Sequence, residues 1–341
     1  MTESDAGPGA ARALDGLIDL AAERIGGRAV DANDEFFAPK ENLLKASEPV
    51  FEPDRYTDRG KWMDGWETRR RRSPGHDWCV VELGVPGRIR RVIVDTRHFR
   101  GNHPEACSLD ASPRREGDEW RELLSRVALR GDAPNEFPID ADAVFARVRL
   151  NIHPDGGVAR LRVLGEPRGR PSAGASGHDE GRVDLASALL GGAPVACSDR
   201  FFSDPRNLLL PGPPLNMGDG WETRRRRGPG HDWVVIRLGA PGIIEEVEVD
   251  TTHFKGNYPA ACSLEGCSPP PAEIEGPVDW DARPWRELVR KSELGPDARH
   301  VFRPEVEGVA VSHVRFNIYP DGGVARLRLR GRPADGGGGG A

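Results

Sequence analysis

Residues 64–78 read DGWETRRRRSPGHDW, and residues 219–233 read DGWETRRRRGPGHDW. One position separates the two strings, Ser73 against Gly228. A run that combines acids, four consecutive arginines, a histidine and two tryptophans does not recur by chance within one chain. The molecule is therefore an internal duplication, and its fold must be one that half the chain can form.

The repeat extends outward from this stretch. Upstream, Asp19-Leu20-Ala21 and Gly26-Gly27 return 165 residues later as Asp184-Leu185-Ala186 and Gly191-Gly192, and Phe36-Phe37 and Asn42-Leu43-Leu44 return as Phe201-Phe202 and Asn207-Leu208-Leu209. At Asp64 and Asp219 the offset is 155, so the first copy carries about ten extra residues around Glu48 to Arg59, a length change that belongs in a loop. An insertion around Pro269 to Asp281 restores the original offset.

Downstream, Cys79, Val81 and Leu83, like Val234, Ile236 and Leu238, alternate with polar neighbours, which is the period of a half-buried strand. The stretches 84–87 and 239–242, with Gly at both ends and a Pro, supply turns. A second strand places Val92, Val94, Thr96 and His98 on one face, as it does Val247, Val249, Thr251 and His253, and runs into DTRHFRGN (95–102) and DTTHFKGN (250–257). Each copy closes with a hairpin-like pair about a Pro-Asp-Gly-Gly turn (154–157, 320–323). Its strands have a dry face and, through Arg147, Arg149, Asn151, Arg160 and Arg162, a basic one. Ahead of each copy, apolar spacing at Leu17, Ile18, Ala21 and Ile25, and again from Val183, predicts a short helix.

Many short strands with turn signals between them predict an all-β chain: two tandem antiparallel sandwiches, with a jelly-roll the favoured topology. The boundaries read as a disordered tail over 1–13, a first repeat over 14–165, a Pro/Gly/Ser-rich linker over 166–182, a second repeat over 183–332 and a Gly-rich tail over 333–341.

Composition excludes several classes. With 48 basic and 54 acidic side chains the net charge is -6, which argues against nucleic-acid binding despite the arginine runs. No apolar run approaches the ~18 residues of a membrane span and no leader is evident, so a cytoplasmic protein without membrane partners is expected. The five cysteines are odd in number and lack metal or redox spacing, which predicts buried free thiols.

These motifs, NLL, DGWETRRRR.PGHDW, D[TR]xHF[KR]GN and NI.PDGGVARLR, each present twice over residues 16–332, closely resemble the allantoicase family. The resemblance implies two jelly-roll domains akin to galactose-binding-like folds. It also implies hydrolysis of allantoate to (S)-ureidoglycolate and urea in purine and allantoin catabolism. It carries no agreed catalytic set, so the candidates come from chemistry. Allantoate is a carboxylate on a carbon bearing two ureido groups. Releasing urea needs a cation for the carboxylate, an acid for the departing nitrogen, a base or carboxylate to orient water, and acceptors for ureido N–H groups.

If residues 65–71 are extended, Glu67, Arg69 and Arg71 share a face. His76 and Asp77 offer an imidazole with a carboxylate to set its tautomer, and His98 and Asn102 come from a strand end. The catalytic candidates are thus Glu67, His76, Asp77 and His98 with Glu222, His231, Asp232 and His253. The substrate-binding candidates are Arg69, Arg71 and Asn102 with Arg224, Arg226 and Asn257. Two readings stand for His98 and His253, hydrogen-bonded core residue or site residue. Trp66, Trp78, Trp221 and Trp233 read as core aromatics.

No cofactor is predicted. A divalent metal held by His76, Asp77, His98 and Asp95 is left open, although no familiar ligand spacing is present. The partner is a small molecule, and a homo-oligomer is possible. The alternative function is a non-catalytic tandem sandwich that binds a sugar or small anion.

Overall fold

The computed structural model describes residues 12–168, 182–274 and 278–334. The expected linker and both tails lie largely outside these residues. Two compact units emerge, one within residues 17–172 and the other within residues 173–341 together with residues up to Gly16.

The first unit contains strands β1 (Arg28–Ala32), β2 (Asp77–Asp95), β3 (Ala106–Ser112), β4 (Arg121–Ala128), β5 (Pro134–Pro138), β6 (Phe145–His153) and β7 (Arg160–Pro167). All pairings are antiparallel. The first half of β2 lies between β1 and β6, and β6 continues through β3 to β4. The second half lies between β7 and β5. One strand thus serves both layers of a jelly-roll sandwich, the corner device by which strands switch sheets.

The crossing point is the stretch 84–87. It makes no turn, contrary to the sequence expectation: β2 runs through it while its partner on β6 jumps from Glu82 opposite Arg147 to Gly87 opposite Phe145. Gly84 is there because a Cβ would lie 2.3 Å from the carbonyl oxygen of Ile25. The expected closing hairpin is likewise not one. β6 and β7 do not pair with each other, because each joins a different half of β2.

The second unit repeats the plan with β8 (Ala193–Cys197), β9 (Asp232–Asp250), β10 (Ala261–Cys267), β11 (Arg286–Glu293), β12 (Arg299–Phe302), β13 (Ala310–Tyr319) and β14 (Arg326–Pro333). Arg12–Ala13 adds to the free edge of β8.

The predicted short helices are absent. Ile18–Asp19 pairs with β7, and only Glu23–Ile25 and Ala188–Leu190 coil, each as one 3-10 turn. The Asp19 carboxylate accepts from the backbone N–H groups of Ala21 (3.2 Å) and Val163 (2.9 Å). That local bond competes with helix, and so short a helix is marginal without its own packing.

The core is built from the inward alternation of Cys79, Val81, Leu83, Val92, Val94, Leu109, Val148, Leu150, Leu161 and Val163, with an equivalent set in the second unit. All five cysteines are buried thiols. Among the described residues no helix is long and apolar enough to cross a membrane.

Candidate active site

Glu67 belongs to a two-residue pairing, Trp66–Glu67 against Gly157–Val158, beside the sandwich. Trp66 is fully buried and donates its indole N–H to the carbonyl of Asp34 at 2.8 Å, so the next side chain along an extended backbone, Glu67, faces outward. The stretch is anchored on its other side by a buried ion pair. Arg160, expected on a basic outer face, is 1% exposed and holds Asp64 Oδ2 at 2.7 Å, with its remaining N–H groups donating to the carbonyls of Ser47, Asp64 and Ala159. Arg326 and Asp219 repeat the arrangement at 2.7 Å.

β2 ends at Asp95, and the chain turns sharply. His98 takes a left-handed conformation (φ 70°), with its N–H bound to Asp132 Oδ1 at 2.8 Å. Phe99 inserts instead, fully buried beneath Gly157, where a Cβ would lie 2.0 Å from its ring. The carbonyl of Asn102 accepts from Gly157 N–H at 2.7 Å, and its side-chain amide donates to Glu67 Oε1 at 2.7 Å. Three segments distant in sequence therefore meet at one carboxylate. Burial raises the Glu67 carboxyl above the ordinary glutamate range, and the Asn102 amide only partly offsets this.

Glu67 and Asn102 border two adjoining depressions, of about 380 and 880 Å³, which also share Phe37 and Gly101. The smaller holds His98, Lys61, Phe51, Met63 and Arg100. The larger is walled by Arg69 to Arg72, Asp155 and His103. His98 Nε2 lies 3.1 Å from the carbonyl of Pro49, which requires the proton on Nε2 and leaves Nδ1 as the lone-pair nitrogen of the neutral ring. The second unit repeats the frame: Asn257 donates to Glu222 Oε1 at 2.6 Å, and His253 Nε2 lies 3.1 Å from the carbonyl of Pro214.

A family model described as the allantoicase repeat matches residues 18–168 and again 183–334. The chain belongs to the allantoicase family. It is 48% identical over 326 residues to a probable allantoicase of Pseudomonas aeruginosa strain LESB58, covering 93% of this chain and 96% of that relative. A probable allantoicase of Rhizobium meliloti strain 1021 is 49% identical over 328 residues, at 94% and 95% coverage. A crystal structure of allantoicase from Saccharomyces cerevisiae superposes with a TM-score of 0.77 at 35% identity, covering 92% of this chain and 93% of that one.

Within this allantoicase-family frame the sequence candidates separate. Glu67, His98 and Asn102 come together. Asp77 does not meet His76: its carboxylate is held by Arg71 at 2.5 Å and Asn33 at 3.0 Å, while the His76 ring packs 4.7 Å from that of His153. Adjacent residues entering a strand project to opposite faces, so the expected dyad cannot form. Asp232 is likewise held by Arg226 and Ser198, and His231 Nε2 lies 3.1 Å from Asn317 Oδ1.

Arg69 and Arg71 do line the larger depression with Glu67, but both guanidinium groups are engaged by carboxylates. Arg69 binds Asp34 (2.7 Å) and Arg71 turns to Asp77, as Arg224 binds Asp199 (3.1 Å) and Arg226 turns to Asp232. Among the described residues, Arg70, Arg72 and Lys61 have no carboxylate partner and border the two depressions. Lys61, Phe51 and Met63 escaped the sequence reading; the extra residues of the first copy, next to the repeated stretch, were the available signal. Asp95, one of the metal candidates, is engaged by Arg97 at 2.6 Å. Among the described residues no group of three or more His, Cys, Asp or Glu side chains is placed to hold a metal ion.

Proposed function

We propose that the protein hydrolyses allantoate to (S)-ureidoglycolate and urea, acting on a linear amidine C–N bond, at the groove around Glu67. The observation that carries this reading is the Glu67 carboxyl: half-buried, raised by burial, oriented by Asn102, and set between cationic walls. A carboxyl so raised keeps its proton closer to neutrality, which suits a general acid.

In the reaction the bond between the central carbon and one ureido nitrogen breaks. Glu67 protonates that nitrogen as urea departs, and the second ureido nitrogen shares the positive charge left on the carbon. Water then adds to the carbon. His98 Nδ1 takes its proton, and the new C–O bond gives ureidoglycolate. The Oδ1 of Asn102 accepts from a ureido N–H, while one of its two amide N–H groups is held by Glu67.

A cytoplasmic setting belongs to the same reading and is supported by five reduced, buried thiols. The test is to incubate the purified chain with allantoate and assay urea and ureidoglycolate. Release of neither, across pH and with or without added divalent metal, refutes the proposal. Calorimetric binding of a sugar or anion without turnover would return the alternative of a non-catalytic module.

A further inference from the structure

The two copies keep the same Glu–Asn pair but not the same pocket around it. In the first, the extra residues form a small hairpin, Tyr56–Thr57 against Gly60–Lys61, that stands over Phe37 and ends at the pocket's rim. Lys61 Nζ lies 4.5 Å from the centroid of the Phe51 ring, and Phe51 stacks on His98 at 5.8 Å and 20°. In the second copy the link is short. Residues 211–218, PGPPLNMG, contain no cation, and Asn216 stands where the first copy has Lys61. Met217 follows in a 3-10 turn, with its sulfur 3.8 Å from Asn257 Nδ2. The amide that is open in Asn102 is half-covered in Asn257. Phe201 and Phe202, which no hairpin covers, are each 60% exposed.

Substrate geometry turns this asymmetry into an assignment. In allantoate the carboxylate is bonded to the same carbon that loses the ureido nitrogen and gains water's oxygen, so the cation that seats it must border the cavity that holds both Glu67 and His98. Arg70 and Arg72 border the larger depression, which Glu67 shares but His98 does not. Arg100 borders the right one but is held by Asp132 at 2.9 Å. Lys61 borders it and, among the described residues, has no carboxylate partner.

Resting on the allantoate reading, we infer that the first repeat alone holds the substrate and that Lys61 is the cation that binds its carboxylate. The second repeat keeps the scaffold of the site with its Glu–Asn pair capped by Met217.

The experiment compares the full-length wild type with Lys61→Met and Lys61→Arg, using allantoate for kinetics and hydantoate, a carboxylate with a single ureido arm, for calorimetry. Losing a charge-assisted bond weakens binding about 10- to 100-fold. Lys61→Met is therefore expected to raise KM for allantoate at least about tenfold with kcat within about threefold, and Lys61→Arg to restore most of it. Hydantoate is expected to bind the wild type at one equivalent per chain. A KM for Lys61→Met within about twofold of wild type, or two equivalents of hydantoate per chain, overturns the inference. Lys61 is exposed, so an unchanged melting temperature should accompany the KM shift; if the variant melts earlier, recovery in Lys61→Arg decides. Wild type that releases no urea refutes the proposed function instead, which separates the two failures.

Discussion

Replacing Asp64 by Ala should destabilise the first unit more than any surface change in the repeated stretch. Asp64 Oδ2 accepts from Arg160 Nη2 (2.7 Å) and from Val50 N–H (3.1 Å), and Oδ1 from Lys45. The side chains of Arg160 and Asp64 are 1% and 5% exposed, so the variant leaves a guanidinium in the interior without its counter-charge. Breaking a buried pair in this way costs about 3–5 kcal/mol, and for a unit of this size that lowers the melting temperature by roughly 6–20 °C. The double variant Asp64→Ala/Arg160→Met, which removes both charges, should recover much of the loss.

The pH dependence follows from the carboxyl. Burial alone would raise it, but Arg160, Lys45 and the Val50 N–H outweigh burial and hold it below the ordinary aspartate range. Its stabilisation is thus complete at neutral pH and is lost as pH falls through the lowered value, so the gap between variant and wild type should narrow in acid. Urea melts of the three proteins at pH 7 and in acid make the measurement. A single variant within about 1 kcal/mol of wild type, or a double variant worse than the single, would refute the reasoning.

Glu67→Gln keeps the shape and the acceptor for Asn102 but has no proton to give, and should lower kcat about 10²- to 10⁴-fold, read as urea release. Because burial raises the Glu67 carboxyl, wild-type kcat should fall as pH climbs through that raised value, and a flat profile there would remove Glu67 as the acid. Asn102→Ala deletes the donor that favours the ionised carboxyl, so the same limb of the pH–rate profile should move to higher pH; a move to lower pH contradicts the assignment. Gly157→Ala would set a Cβ 2.0 Å from the Phe99 ring, and a loss of about 1–3 kcal/mol together with reduced kcat is expected from thermal melts and urea assays.

Much of this was legible in one dimension because a duplicated chain carries its own comparison. Alternation at Cys79, Val81 and Leu83 reports a half-buried strand regardless of what pairs with it. The failures share a cause. The helix expected near Ile18 gave way to pairing with β7, and the turn expected at residues 84–87 proved to be a close approach between backbones, two outcomes decided by segments far away in sequence. Arg160 reads as an outer-face residue by alternation, yet it is buried because Asp64, nearly a hundred residues earlier, is there to receive it.

The sequence by itself determined the duplication, the all-β class, the family and the residue types of the site, since these are properties of local pattern and repetition. Only the tertiary structure decided which of those residues meet. It put Asn102 against Glu67 and left His76 and Asp77 apart, it used Arg69 and Arg71 as internal partners of Asp34 and Asp77, and it brought Lys61 to the rim of the pocket. The physical reason is that an ion pair or hydrogen bond depends on distances of about 3 Å between side chains, and chain order does not encode those distances until the sheets have paired.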